Sequence, residues 1–161
     1  TGLLNPRAYY DVTNRMIWLA RRTASPYALL FIDLDHFKTI NDHFGHDVGD
    51  AVIVSLATLM QQDLRADAAL CRSGGEEFLL LLPGVSGVQA QRIAERLRLR
   101  VESHEMGQAG RITISLGVAH WPGDASDLGA VLKQADKALY QGKQAGRNRC
   151  IAAVQLVSEW Q

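Results

Sequence analysis

Four carboxylates and two glycines are the residues of this chain most suited to chemistry. Asp33 and Asp35 close an otherwise apolar run, YALLFIDLD (27–35), and Glu76 and Glu77 follow Gly74 and Gly75 directly. A buried strand has no packing reason to carry acids, because an unpaired buried charge is costly. One such acid marks only the place where a strand reaches the surface. Two acid groups, one of them beside glycines that let backbone approach a ligand, form a candidate site for Mg²⁺ and phosphate. The charge distribution points the same way. Residues 33–50 hold Asp33, Asp35, Asp42, Asp47 and Asp50 against Lys38 alone, while 133–149 hold Lys133, Lys137, Lys143, Arg147 and Arg149 against Asp136 alone. Lys143 and Arg147 flank Gly146 at a helix end, where they could reach terminal phosphates; the plainer reading is a solvated helix face. An acidic metal-binding surface with cations nearby is what a nucleoside triphosphate enzyme requires.

The common nucleotide motifs are absent. QGKQAG (141–146) does not match G-x-x-x-x-G-K-[ST], and no G-x-G-x-x-G follows a strand. A triphosphate site here is therefore of another kind. His36, His43 and His46 cluster in sequence, but no cysteine or fourth ligand at suitable spacing supports zinc. Cys71 and Cys150 are too few for a disulfide framework, so a reducing, cytoplasmic setting is expected. Cys71, among apolar neighbours, reads as core. Trp18, Trp121 and Trp160 do not interleave with a basic patch, and 17 Lys+Arg balance 17 Asp+Glu, so a nucleic-acid partner is not expected. The opening TGLLNPR reads as neither a signal peptide nor an anchor. It starts abruptly enough that an upstream sensor or regulatory domain, membrane-anchored in some cases, is expected in a longer protein.

The elements that must position these groups follow from hydrophobic period. With 161 residues, 47% of them hydrophobic, the chain can bury one core. Asn5-Pro6 suits a helix start, carried by Tyr9, Val12, Met16, Ile17 and Ala20 and stopped by Ser25-Pro26. Residues 27–37 read as a central strand ending in polar residues, and 48–60 as a helix burying Val52, Ile53, Leu56, Ala57 and Met60. Residues 68–84 read as strand, glycine turn, strand, and 88–103 as a helix burying Ile93, Leu97 and Val101. A strand at 110–121, a helix at about 127–142 and a closing strand in GRNRCIAAV complete the order. Strands separated by such helices predict an α/β fold, and the hairpin makes the sheet mixed.

The blocks TGLLNPRAYY, FIDLDHFKTINDHFGHDVGD, CRSGGEEF, ITISLGVA and ADKALYQGKQAGRNR together resemble the GGDEF family, the diguanylate cyclases. They occur in the family's order and cover roughly residues 1–150. The resemblance implies a GGDEF domain over 1–154 with a tail at 155–161. The fold it implies is α/β (α+β), a central mixed sheet wrapped by helices, similar to the palm of adenylyl cyclases and polymerases. The implied activity is condensation of two GTP into cyclic di-GMP with release of pyrophosphate, Mg²⁺-dependent (Mn²⁺ as a substitute), across an antiparallel homodimer of domains. The alternative is a catalytically silent GTP- or cyclic-di-GMP-binding module, or a dimerisation domain; losses within the signature usually accompany silence, and none is visible.

Matched position by position, Asp33, Glu76 and the Leu34 backbone carbonyl correspond to metal ligands, and Glu77 to the acid near the metals and the attacking 3′-hydroxyl. The resemblance assigns no general base. Gly74 and Gly75 correspond to the turn against the nucleotide, and Asn41 and Asp50 to the pair that reads guanine, whose N1–H and N2–H₂ donors suit a carboxylate. Phe37 and Lys38 match a loop near the β- and γ-phosphates, and Lys143 and Arg147 the cations that clamp them. Pro6 stands where the family often has arginine, a change a helix start tolerates. The inhibitory R-x-x-D motif is degenerate. Arg65 is present, Ala68 replaces the aspartate, and Asp67 is one residue out of register, so weak product inhibition is expected.

Overall fold

The computed structural model describes Leu3 and residues 5–23, 25–121 and 127–153. The expected tail, Trp160 and the side chains of Met16 and Ala20 lie outside the described residues. Helix α1 (Pro6–Thr23) leads into strand β1 (Tyr27–Leu34). Two helices follow, α2 (Phe37–Phe44) and α3 (His46–Gln62), then the hairpin β2 (Ala69–Gly74) and β3 (Glu77–Pro83). Helix α4 (Gly87–Glu102), a short 3₁₀ turn (Gly107–Ala109), strand β4 (Ile114–Trp121), helix α5 (Leu128–Gln144) and strand β5 (Cys150–Ala152) complete the order. The strands form one mixed sheet in the order β2-β3-β1-β4-β5, antiparallel except where β5 runs parallel to β4.

Three elements differ from the sequence reading, the first being β1, which ends at Leu34 rather than 37 because Phe37 already opens a helix. The stretch before residue 48, to which the sequence reading gave no element, holds α2, whose Phe37, Ile40, Asn41 and Phe44 recur at helical spacing over only two turns, and the start of α3 at His46. β4 begins at Ile114 rather than 110, because Gly110 adopts a positive φ of 69° and Arg111 bridges back to Glu105. The helix start at Asn5-Pro6 is as expected: Asn5 Oδ1 accepts the Ala8 N–H at 2.8 Å, and proline occupies the first turn.

Alternation along β1 divides the core into two layers. Ala28, Leu30, Ile32 and Leu34 pack with α3 and α4 through Ile53, Leu56, Ala90, Ala94 and Leu97. Tyr27 and Leu29 pack on the other face with α1 and α5 through Tyr9, Ile17, Val131 and Ala135. The sheet is thus covered on both sides, which explains why β1 is apolar on both faces. Close seating of α5 depends on Gly117 in β4. A Cβ there would lie 2.1 Å from the Ala135 carbonyl oxygen and 2.4 Å from the Leu139 nitrogen, both backbone atoms that cannot move aside. That contact carries Lys143, at the end of α5, to the C-terminal end of β1.

Candidate active site

By the alternation of β1, Asp33 belongs to the same face as Tyr27 and Leu29, the α5 face. β1 pairs with β3 so that Asp33 stands directly opposite Glu77. The Leu34 N–H donates to the Glu76 carbonyl at 3.1 Å, locking the glycine turn to the end of β1. Three acids from two distant segments are thereby gathered at one end of the sheet. Like charges directly opposite on neighbouring strands are destabilising unless something positive intervenes. Lys143 supplies one such charge, its ammonium resting on Asp33 Oδ2. The other oxygen, Oδ1, is buried and has no hydrogen-bond partner. Burial pushes the Asp33 carboxyl above its ordinary range, outweighing the hydrogen bond and charge of Lys143; Glu76 and Glu77 add to the rise.

The glycine turn is open. Gly75 takes a positive φ of 29° and its carbonyl accepts from Arg72 Nε at 2.8 Å, which fixes the hairpin. Gly74 needs no such φ, and a Cβ at either glycine would meet nothing within 4 Å. Gly74 also sits at a register shift in the β2–β3 pairing, a place where glycine eases a strand irregularity.

The expected nucleobase residues lie on the neighbouring helices α2 and α3. Asn41 lies on α2 and Asp50, exposed, on α3; a Cβ on Gly49, the neighbour of Asp50, would meet both Asn41 and Phe37. Phe37 and Lys38, expected in a loop, instead form the first turn of α2. Phe37 packs against the core and Lys38 is exposed. His36 precedes that turn in a left-handed conformation (φ 59°), and no side chain caps it. Its free backbone N–H groups and the helix dipole favour an anion there. Arg147 is exposed in the loop after α5, also left-handed at φ 64°, with its N–H donating to the Gly142 carbonyl at 2.9 Å.

Asp35 departs from the reading that grouped it with the metal-site acids. It is buried and fully engaged by protein: Thr113 Oγ1 donates to it at 2.8 Å, Ser115 Oγ at 2.7 Å and the Asn148 backbone N–H at 3.0 Å. It ties the end of β1 to β4 and to the loop that carries Arg147. Asn148 in turn accepts from Arg98 Nη1 at 2.9 Å and donates to Glu102, both on α4. Thr113, Ser115 and Asn148 carry no sequence signal of this role. Where the resemblance places a degenerate inhibitory motif, Arg65 pairs with Asp67 at 3.1 Å and donates to the Pro83 carbonyl, while Ala68 offers no carboxylate.

Among the described residues, no three His, Cys, Asp or Glu side chains converge into a ready-made metal cluster, and none of the three clustered histidines belongs to one. The donor set still fits Mg²⁺, which takes only one or two carboxylates and completes its shell with water and substrate phosphates. The unpartnered Asp33 Oδ1 is the atom such a cation would satisfy.

A mixed sheet covered by helices on both faces, with acids and an open glycine turn at one strand end and a cationic helix end facing them, makes a palm-like α/β fold. The chain belongs to the GGDEF family: the family model described as diguanylate cyclase, GGDEF domain, matches residues 1–149. It is 42% identical over 153 residues to diguanylate cyclase DgcM of Escherichia coli, covering 95% of this chain and 37% of that protein. Among solved structures, the active GGEEF domain of a diguanylate cyclase from Vibrio cholerae matches with a TM-score of 0.87 at 33% identity, covering 95% of this chain and 98% of that one. The GGDEF domain of DgcB from Caulobacter crescentus, solved in complex with c-di-GMP, matches with a TM-score of 0.87 at 34% identity over 95% and 92% of the two chains. The chain spans less than half the length of the curated relatives it matches. Among the described residues no helix is long and apolar enough to cross a membrane.

Proposed function

We propose that this domain condenses two GTP molecules into cyclic di-GMP and pyrophosphate, each of two domains in an antiparallel homodimer presenting one GTP. The observation that carries the reading is the meeting of Asp33 and Glu77 across β1 and β3, beside an open Gly74-Gly75 turn and within reach of Lys143. Asp33, Glu76 and the Leu34 carbonyl would hold Mg²⁺ or Mn²⁺, which when bound supplies charge neutralisation for the triphosphate. Asn41 and Asp50 bind the guanine, Asp50 accepting from the N1–H and N2–H₂ groups that adenine lacks. The uncapped first turn of α2, with Phe37 and Lys38, receives the β- and γ-phosphates. Arg147 and Lys143 clamp them, Lys143 from the end of α5 where its ammonium meets Asp33. Little covalent help is needed, so positioning and charge stabilisation carry the rate. Glu77 lies by the attacking 3′-hydroxyl, with no general base assigned.

An upstream regulatory domain that brings two copies together is consistent with the chain's short span of its relatives. The test is incubation of the purified domain, at concentrations high enough to dimerise it, with GTP and Mg²⁺ and identification of the product by mass. Cyclic di-GMP from the native domain and none from Glu77→Ala is the expected result. Tight GTP binding without product at the highest concentration would favour the silent-module reading instead.

A further inference from the structure

Gly49 sits inside helix α3, buried, with an ordinary helical φ and its N–H donating to the Gly45 carbonyl at 3.1 Å. Even in the first turn of a helix, glycine is less favourable than alanine. No turn or left-handed conformation explains it, so the reason must be space. A Cβ at Gly49 would fall 1.8 Å from Asn41 Oδ1, 2.9 Å from Asn41 Cγ and 3.4 Å from Phe37 Cε1. The missing side chain is therefore the seat of the Asn41 carboxamide. Asn41 Oδ1 is buried and has no hydrogen-bond partner, so packing against Gly49, rather than a hydrogen bond to that oxygen, sets the amide's orientation. From this we infer that Gly49 is a positioning residue for nucleobase recognition: it holds the Asn41 amide in the plane in which it meets the guanine. The inference rests on the proposed assignment of Asn41 to the base.

The blocking atom is the tip of a short flexible side chain, so Gly49→Ala can be accommodated by swinging the Asn41 amide aside. The substituted helix should melt at or above the native temperature, since alanine improves helix propensity. GTP affinity, measured by calorimetry with Ca²⁺ in place of Mg²⁺ to prevent turnover, should fall about tenfold, the effect of one lost hydrogen bond to the base. Preference for GTP over ATP should fall with it. Asn41→Ala should weaken GTP binding to a similar extent, and adding Gly49→Ala to Asn41→Ala should weaken it little further, because the two act through one group. Native GTP affinity and selectivity in Gly49→Ala, with Asn41→Ala weakened, would overturn the inference and leave the proposed function standing. Native affinity in Asn41→Ala would overturn the assignment beneath it. A Gly49→Ala protein that melts several degrees lower or does not fold would show that the glycine serves the fold, and an additive loss in the double variant would show that it acts independently of Asn41.

Discussion

If Asp35 is a structural strut and not a metal ligand, its substitutions should grade by their capacity to accept hydrogen bonds. Asp35 is 5% exposed and takes three donors, Thr113 Oγ1, Ser115 Oγ and the Asn148 N–H. Asparagine can keep the Thr113 and Asn148 bonds on its carbonyl oxygen. Its NH₂ can then donate to Ser115 Oγ, whose hydroxyl has acceptor capacity to spare. What Asp35→Asn loses is charge assistance over three bonds, about 1–2 kcal/mol in all. Alanine removes the acceptor shared by these three donors. At about 1–3 kcal/mol each, less the relief of not burying a carboxylate, the cost is about 3–5 kcal/mol. The Asn148 N–H retains a fallback in Ser115 Oγ at 3.1 Å, which keeps the figure from rising further. For a domain of this size, 1 kcal/mol moves the melting temperature by about 2–4 °C. Asp35→Asn should therefore melt about 2–8 °C low and Asp35→Ala about 6–20 °C low, measured by circular dichroism. Stabilisation of the Asp35→Asn protein by Mg²⁺ and GTP should match that of the native domain. Equal melting of Asp35→Ala and native protein, or loss of Mg²⁺-dependent stabilisation in Asp35→Asn alone, would refute the structural role.

Two further outcomes follow from charged groups away from the acids of the site. Cyclic di-GMP should inhibit the domain weakly and Arg65→Ala should leave that response unchanged, since Arg65 is engaged by Asp67 and Pro83 and Ala68 supplies no acid; Arg65-dependent binding of cyclic di-GMP at high-micromolar or tighter affinity would contradict this. The Glu95 carboxyl is held below its usual range by its hydrogen bond from Arg98 Nε at 2.9 Å. A depressed folded-state pKa stabilises the fold above the ordinary carboxylate range and ceases to do so as pH falls through the depressed value. Glu95→Gln should thus be less stable than native protein in urea at pH 7 and converge with it in acid; a difference that persists or grows in acid would refute the sign.

Much of the fold was legible because the signals are local. The apolar run of β1, the glycine turn of the hairpin and the 3.6-residue period of α3, α4 and α5 each lie within a window of a few residues. Helix α2 escaped because two turns beginning just past a strand give too short a period. The start of β4 was placed too early because Arg111 and Ile112 have the composition of a strand but not its pairing.

The candidate site divides in the same manner. Residue identity and order along the chain point to Asp33, Asn41, Asp50, Glu76, Glu77, Lys143 and Arg147, and they carry the family resemblance without any coordinates. Composition and spacing alone do not distinguish Asp33 from Asp35, two acids separated by one residue, although the resemblance matches only Asp33 to a metal ligand. Tertiary structure does so, because the partners come from afar. Glu77 reaches Asp33 through the register of β1 with β3, Lys143 through the seating of α5 on Gly117, and Thr113, Ser115 and Asn148 close on Asp35 from β4 and the loop before β5. Likewise Gly49 reads as one more glycine until the packing of α3 on α2 sets it beneath Asn41. Hydrophobic period and turn chemistry act over neighbouring residues and can be read from them. Strand register and helix seating are settled by the packing of the whole core, and it is they that leave Asp33 one oxygen without a protein partner and Asp35 none.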